Sequence, residues 1–417
     1  MQRPSMARMP AELGRCARSI ASALQRAGHE AWLVGGAVRD LAMERTPKDV
    51  DLATSATPDD VERLFRGSKG VGRAFGTMLV TGEGVVAQVT TFRSESGYTD
   101  ARRPDRVEFG RSPQEDARRR DFTCNALYLE PLSDRLLDPE NGQDDIRARR
   151  LRCVGMAVER FREDGLRLLR MARFAADLDF EVEEHTLAAA RSSVGSIAGV
   201  SGERVLGELA TIFERRGSAR ALRILADVGV LPRVLPGLDP GTLEARAKLL
   251  ERCGEPAGAV VGFAALLAPE FGGAEAVEAG WEGALARLRP SNELRRALED
   301  ARDAHRRLQA GLGKRSERIR LARSAVWEPA WRLARAEAGL AGASTAALDE
   351  FAAFARSATE SELRPAPWIT SEDLERSGIP RGPRWRELLR EAEALQLDGE
   401  WASHADALAW LAGQSTL

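Results

Sequence analysis

The sequence predicts an α+β protein, with a small mixed-sheet head followed by an all-helical remainder. Three observations carry this. Strand-like alternation is confined to the first part of the chain. From about Leu151 onward the pattern is Ala, Leu, Arg and Glu at helical spacing with few β-branched runs. At 417 residues the chain also exceeds what one compact core needs. The expected divisions are a head over 1–147, a helical neck over 148–205, a helical body over 206–290 and a helical tail over 291–417.

Apolar residues at helical spacing (Leu13, Cys16, Ile20, Leu24) predict a first helix from Ala11 that ends at Gly28, a C-cap residue type. The stretch Ala31 to Thr57 follows. It opens as an apolar strand ending in Gly35-Gly36, passes through a short helix, and closes on Asp49-Val50-Asp51, read as a second strand. Residues two apart on a strand project from one face, so Asp49 and Asp51 would present their carboxylates together. Such a pair repels unless a cation lies between, and Mg²⁺, which prefers oxygen ligands and keeps positions open for phosphate, is the expected one. An isolated Asp-x-Asp is more often a solvated turn. Gly35-Gly36 would let backbone approach phosphates without a Cβ in the way.

Thr57-Pro58-Asp59-Asp60 carries the signals of a helix start, with Val61, Leu64 and Phe65 as its inward face. The runs Gly76–Val80 and Val85–Phe92 around Gly82-Glu83-Gly84 predict a hairpin. Arg93 to Arg120 is charged and aperiodic, and reads as a loop. Next come Arg119-Arg120-Asp121-Phe122-Thr123-Cys124-Asn125, in which Arg120 can reach a phosphate and Asp121 can accept from a ribose 2′-hydroxyl. Phe122 reads as core, and Asp138-Pro139 with Gly142 as a turn. Glu163-Asp164-Gly165-Leu166-Arg167 places Asp164 and Arg167 three apart, neighbours on one helical face. As an ordinary ion pair they would matter little. As a base reader, a carboxylate beside a guanidinium complements the amino donor and ring-nitrogen acceptor of cytosine and adenine and opposes guanine and uracil. Gly165 within a helix would soften it. Ser201-Gly202-Glu203-Arg204 with Glu208 reads as a helix start that braces the neck. A helix over Ala219–Leu231 ends before Pro232. Farther on, breaks are expected at Gly272-Gly273, Pro290-Ser291, Glu328-Pro329 and Pro365-Ala366-Pro367, and the tail tryptophans read as packing anchors.

A net charge of −2 gives no global sign of nucleic-acid binding, so an RNA partner would need a local basic face. Nine arginines between Arg147 and Arg173 offer one, unless they are a solvated surface. Four scattered cysteines without metal spacing suggest reduced thiols in a cytoplasmic protein. No apolar stretch has the length of a membrane span or the form of a signal peptide.

Gly-Gly-x-x-Arg-Asp followed by Lys-Asp-x-Asp-x-x-Thr resembles the signature of the DNA polymerase beta-like nucleotidyltransferases. Within them the chain resembles the class II tRNA nucleotidyltransferase and bacterial poly(A) polymerase family, over about the N-terminal half. The resemblance rests also on the FGT and TTFR strands, RRDFTxNA, DPxxGxxD and EDxxR. It implies metal binding and catalysis by Asp49 and Asp51. It implies nucleotide contacts by Gly35, Gly36, Arg39, Asp40, Arg120, Asp121, Asn125, Asp164, Arg167 and Arg170. Asp100, Arg102 and Arg103 fall in a segment similar to the flexible loop of enzymes that add the terminal A. The expected function is template-independent addition of CCA to tRNA 3′ ends from CTP and ATP with Mg²⁺. The alternatives are an A-adding-only enzyme, a poly(A) polymerase or, outside this class, a non-catalytic RNA-binding protein. Three departures stand out: the Gly-Arg-Arg-Phe signature of bacterial poly(A) polymerases is absent, Gln88 occupies a position often acidic, and Gly165 stands where Ala is common.

Overall fold

A computed structural model describes residues 3–73, 76–96, 106–110, 112–267 and 274–414. They form two compact units, Met1–Glu244 with Gly272–Arg289, and Ala245–Phe271 with Pro290–Leu417.

In the first unit, helix α1 (Ala11–Arg26) buries Cys16, Ala17, Ile20 and Leu24, the stripe its spacing predicts, and Gly28 just beyond it is left-handed. Strand β1 (Ala31–Val34) leads into α2 (Gly36–Ala42), and β2 (Asp51–Thr54) returns antiparallel beside β1. Asp49 and Val50 precede β2 and are not part of it, a correction to the strand expected there. Helix α3 (Pro58–Leu64) carries the expected capping box between Thr57 and Asp60. Its inward face is narrower than its sequence suggests: Val61 is buried but Leu64 is 38% exposed, because the helix ends after seven residues.

Strands β3 (Lys69–Gly72), β4 (Thr77–Gly82) and β5 (Val85–Thr91) extend the sheet. The β4–β5 turn is Glu83-Gly84, both with positive φ, which matches strand twist in a two-residue hairpin. Strands β6 (Arg93–Ser96) and β7 (Arg106–Phe109) pair antiparallel, and α4 (Pro113–Arg118) follows with Ser112 as its N-cap. The sequence shows no periodicity over 93–120, yet both ends of that stretch are ordered. β6 and β7 are too short to register as alternation, and α4 is one turn and a half. Asp100, Arg102 and Arg103 lie outside the described residues.

β8 (Tyr128–Leu129) and β9 (Leu136–Leu137) complete a seven-stranded mixed sheet, ordered β3-β4-β5-β2-β1-β8-β9. Trp32, Val34, Ala53, Phe92, Ala117, Ala126, Tyr128 and Val154 pack together in its core.

Helix α5 (Gly142–Arg147) starts where the Asp138 carboxylate accepts from the amides of Gly142 and Gln143. A Cβ on Gly142 would sit 2.2 Å from the Thr123 carbonyl oxygen, so glycine is what lets α5 approach the 3-10 turn Thr123–Asn125. The turn role expected for Asp138 and Gly142 is therefore physical. Helices α6 (Ala157–Glu163), α7 (Leu166–Leu178), α8 (Glu184–Ser192) and α9 (Gly202–Phe213) follow, and the pairing of β10 (Arg150–Leu151) with β11 (Glu181–Val182) ties the start of this region to the end of α7. Later in this unit Pro232 lies inside a short helix, Leu231–Val234, after a helix Ser218–Val228; the single helix expected there is two.

The second unit is helical throughout its described residues. Ser291 caps Asn292–Ala310, while Pro329 lies in the first turn of Trp327–Leu340, where its missing N–H costs nothing, so it starts this helix. Trp327 and Trp331 pack against one apolar cluster, and Trp368, Trp385, Trp401 and Trp410 against another, as expected of anchors. Among the described residues no helix is long and apolar enough to cross a membrane.

Candidate active site

Asp51 opens β2 and lies opposite Gln88 of β5 in a parallel register, so the two side chains share one face of the sheet. The backbone bond from Gln88 N to Val50 O (2.9 Å) fixes that register at its end. Burial, and then the charge of Asp49, pushes the Asp51 carboxyl up to about 6, against an opposing pull from Arg120. The Asp51 carboxyl is thus both withdrawn from water and set beside the charge of a second carboxylate. Two oxygen donors in that state suit a hard divalent cation. Among the described residues no group of three or more His, Cys, Asp or Glu could hold a metal, so the acids stand as a pair, with the Gln88 amide where a third could be.

Gly35 caps α2 at φ +67 and ψ −131, a conformation for which glycine is the natural residue. A Cβ there would lie 3.5 Å from the Arg120 guanidinium, and one on Gly36 would lie 3.6 Å from that of Arg39. The double glycine thus faces two cations. Arg39 is 8% exposed. It donates to Asn125 Oδ1 (2.7 Å) and Asp40 Oδ1 (2.8 Å), and its guanidinium sits 5.5 Å from the Phe174 ring centroid.

The three residues Arg119, Arg120 and Asp121 join these groups to α7. Arg120 donates to the Tyr128 hydroxyl (2.9 Å), the Asn125 carbonyl (3.2 Å) and Asp116 (3.1 Å). The Asp121 carboxylate accepts from the amide of Phe122 and the side chains of Asn125 and Arg170. Burial would raise Asp121, but Arg170, Arg167 and Asn125 together outweigh it and hold the carboxyl down at about 2. Phe122 is fully buried edge-on to Phe174, as expected of a core residue.

Asp164 and Arg167 differ from their expected arrangement. Asp164 lies in the break between α6 and α7, in extended conformation, rather than on a shared helical face, and the two side chains have different partners. Asp164 is gripped by Arg204, with Nη1 at 3.1 Å from Oδ1 and Nη2 at 2.7 Å from Oδ2, and accepts from Leu166 N. Arg167 donates to Glu163, to the Arg160 carbonyl (2.9 Å) and to the Arg119 carbonyl (3.0 Å). Gly165 is likewise not inside a helix. It forms the junction, where a Cβ would come within 2.4 Å of the Ser196 carbonyl oxygen, so its role is close approach and not softness.

The basic run Arg147–Arg173 is not a free cationic face. Eight of its nine arginines pair with carboxylates (Arg147, Arg149, Arg150, Arg152, Arg160, Arg167, Arg170 and Arg173). Asp116 is a residue that the sequence reading passed over. It is wholly buried, it takes Arg119, Arg120 and the Tyr128 hydroxyl, and despite burial these hold it at about 2. Its signal was its spacing of three and four from Arg119 and Arg120, masked by the apparent loop. Asp145, also wholly buried, binds Thr123, Arg150 and Arg152 and so steadies the turn that carries Asn125.

Residues 31–152 match the poly A polymerase head domain, and residues 179–242 the family described as "Probable RNA and SrmB- binding site of polymerase A". The CCA-adding enzyme of Geobacillus kaustophilus (strain HTA426) is 45% identical over 222 residues, 53% of this chain and 54% of the relative. That of Streptococcus pyogenes serotype M5 (strain Manfredo) is 45% identical over 196 residues, 47% and 48% of the two. The match thus spans about half the length of these curated relatives. Among solved structures, the Bacillus stearothermophilus CCA-adding enzyme in complex with CTP is similar over 96% of this chain and 97% of its own, with TM-score 0.76 and 29% identity. The Thermotoga maritima CCA-adding enzyme complexed with tRNA shares the fold at TM-score 0.62 and 21% identity, over 95% and 94% of the two chains.

Proposed function

We propose that this chain is a nucleotidyltransferase that adds C, C and A to tRNA 3′ ends from CTP and ATP, a reading supported by the match of residues 31–152 to the poly A polymerase head domain. The observation that carries the proposal is the continuity of Arg119-Arg120-Asp121. Arg120 acts on Asp51, while the Arg119 carbonyl and the Asp121 carboxylate hold Arg167 and Arg170, so one short segment serves both the acid pair and the base-reading residues. In the reaction the RNA 3′-oxygen forms a bond to the α-phosphorus as the bond to pyrophosphate breaks.

Asp49 and Asp51 are the residues that would hold Mg²⁺, which when bound supplies charge neutralisation at the phosphates and a more acidic attacking hydroxyl. Gly35 and Gly36 leave room for the phosphates, and Arg39 and Arg120 place cations beside them. Asp40 and Asn125 orient those cations, Asp121 anchors Asn125, and the three offer acceptors and a donor to the ribose. Asp164 accepts from the exocyclic amine of cytosine or adenine while Arg167 donates to the ring nitrogen, after exchanging one of its present partners. Asp100, Arg102 and Arg103 belong to the loop proposed to readjust the pocket between C and A. A cytoplasmic setting belongs to the same proposal.

The test offers the purified protein three tRNAs, ending at the discriminator base, at C and at CC, with each labelled nucleotide separately. Ordered CMP, CMP and AMP transfer supports the reading. AMP transfer to the CC end alone would make it an A-adding enzyme, long A tails a poly(A) polymerase, and no transfer an RNA-binding protein.

Gln88 gives a second expected outcome. It is exposed opposite Asp51, so Gln88→Glu adds a charge to the metal face without disturbing the core. The variant is expected to fold, to remain active and to reach half-maximal rate at lower Mg²⁺. A folded but inactive variant would show that the amide is placed for another purpose.

A further inference from the structure

Asp164 has no helix to orient it. At the break between α6 and α7 its backbone is extended, and the short-range restraint on its carboxylate among the described residues is the Leu166 amide, 3.1 Å from Oδ1. A carboxylate held at one oxygen can pivot, and the direction of its remaining lone pairs decides which base edge it meets. The second restraint comes from forty residues away. Arg204 of α9 grips both oxygens with a two-pronged guanidinium, and the pair is largely withdrawn from solvent, at 28% and 21% side-chain exposure. A planar fork fixes the plane of the carboxylate as well as its position, which a lysine cannot do.

The parts around this contact are equally constrained. The close approach of Ser196 to Gly165 sets where the break lies. A Cβ on Gly202 would come within 1.8 Å of the Arg287 carbonyl oxygen, so the first turn of α9, which carries Arg204, is seated against backbone. Next along α9, Glu208 holds Arg173 of α7, so α9 is clamped to the helix that begins beside Asp164.

We propose that Arg204 is a specificity-determining positioning residue: it touches no substrate, but by fixing the Asp164 carboxylate it sets which bases are admitted. This rests on the proposed reading of Asp164 as a base reader. It predicts that base choice, more than turnover, depends on a side chain outside the pocket.

The experiment compares wild type, Arg204→Gln and Arg204→Lys for single-nucleotide transfer to tRNA, measuring kcat/KM for CTP, ATP, UTP and GTP, with melting temperature and tRNA binding recorded alongside. In Arg204→Gln the UTP-to-CTP ratio of kcat/KM is expected to rise about tenfold or more, the scale of one well-made base contact. Arg204→Lys, which keeps charge but not the fork, is expected to lie between. In an Asp164→Ala background, Arg204→Gln should change the ratio no further. An unchanged ratio in folded Arg204→Gln, or a proportional loss of all four nucleotides, overturns the proposal, as does an additive effect with Asp164→Ala. If Arg204→Gln does not fold, an unchanged ratio in Arg204→Lys does so. If the wild type transfers no nucleotide, the proposed function itself fails, whereas a selective wild type with a selective Arg204→Gln defeats this inference alone.

Discussion

Asp51→Asn is expected to lose at least about 10³-fold in nucleotide incorporation while making the metal-free protein more stable at neutral pH. The first effect follows from removing one of two carboxylates that would hold the divalent ion, worth roughly 4 kcal/mol or more in the transition state. The second follows from the raised carboxyl. Its folded value of about 6 lies above the ordinary 3.8, so the fold binds the proton more tightly than the unfolded chain does. The associated stability is present below about pH 4 and is lost as pH rises through about 6, a decline of about 2–3 kcal/mol. An amide removes that decline. Melting in EDTA at pH 5 and pH 7.5, together with incorporation in Mg²⁺, reads both effects, and tRNA binding should stay within a few-fold. A variant with near-normal turnover, or one destabilised at pH 7.5, would contradict this account of the acid pair.

Asp121→Asn is the second large effect, and its sign is opposite. Asp121 is buried and is held at about 2 by Arg170, so its contribution is present above the ordinary value of 3.8 and is lost as pH falls from about 4 to about 2. Neutralising it leaves Arg170 without its carboxylate and weakens the anchor of Asn125, which receives Arg39. We expect a loss of about 2–3 kcal/mol at pH 7, toward the low end for a broken buried pair because Arg170 retains access to water. The acid limb of the melting curve below pH 4 should become shallower, while Asp116, which is also held at about 2, keeps its contribution there. An unchanged melting temperature would mean that the Asp121–Arg170 contact carries no stability.

The head was legible because its elements announce themselves locally. Alternation in β4 and β5, the capping box of α3 and the stripe of α1 are short-range patterns with one sensible reading. The placement of Asp51 beside Gln88 was half legible: sequence gave the departure from a common acid, and register gave the neighbour. What could not be read were partners made by distant chain. Arg204 meets Asp164 across forty residues, and Arg170 meets Asp121 across 49, so neither contact leaves a periodic trace. Charge counting misled for the same reason. The arginines of 147–173 look like a basic face only while their carboxylates, several of them outside the run, are out of view. Asp164 and Arg167 looked like neighbours because i,i+3 spacing presumes an unbroken helix, and Gly165 marks the break.

On the proposed reading, one pocket lined by Asp164 and Arg167 admits C and A and refuses G and U. The most direct measurement is misincorporation on a CC-ending tRNA by wild type, Asp164→Ala and Arg167→Ala, each offered the four nucleotides separately. The account predicts strong preference for AMP at this end in the wild type. In the variants it predicts a relative gain of UMP and GMP of roughly 5- to 150-fold, the range of one bidentate base contact. Equal loss of all four nucleotides in both variants would contradict it, and would leave the pair as part of the neck's scaffolding.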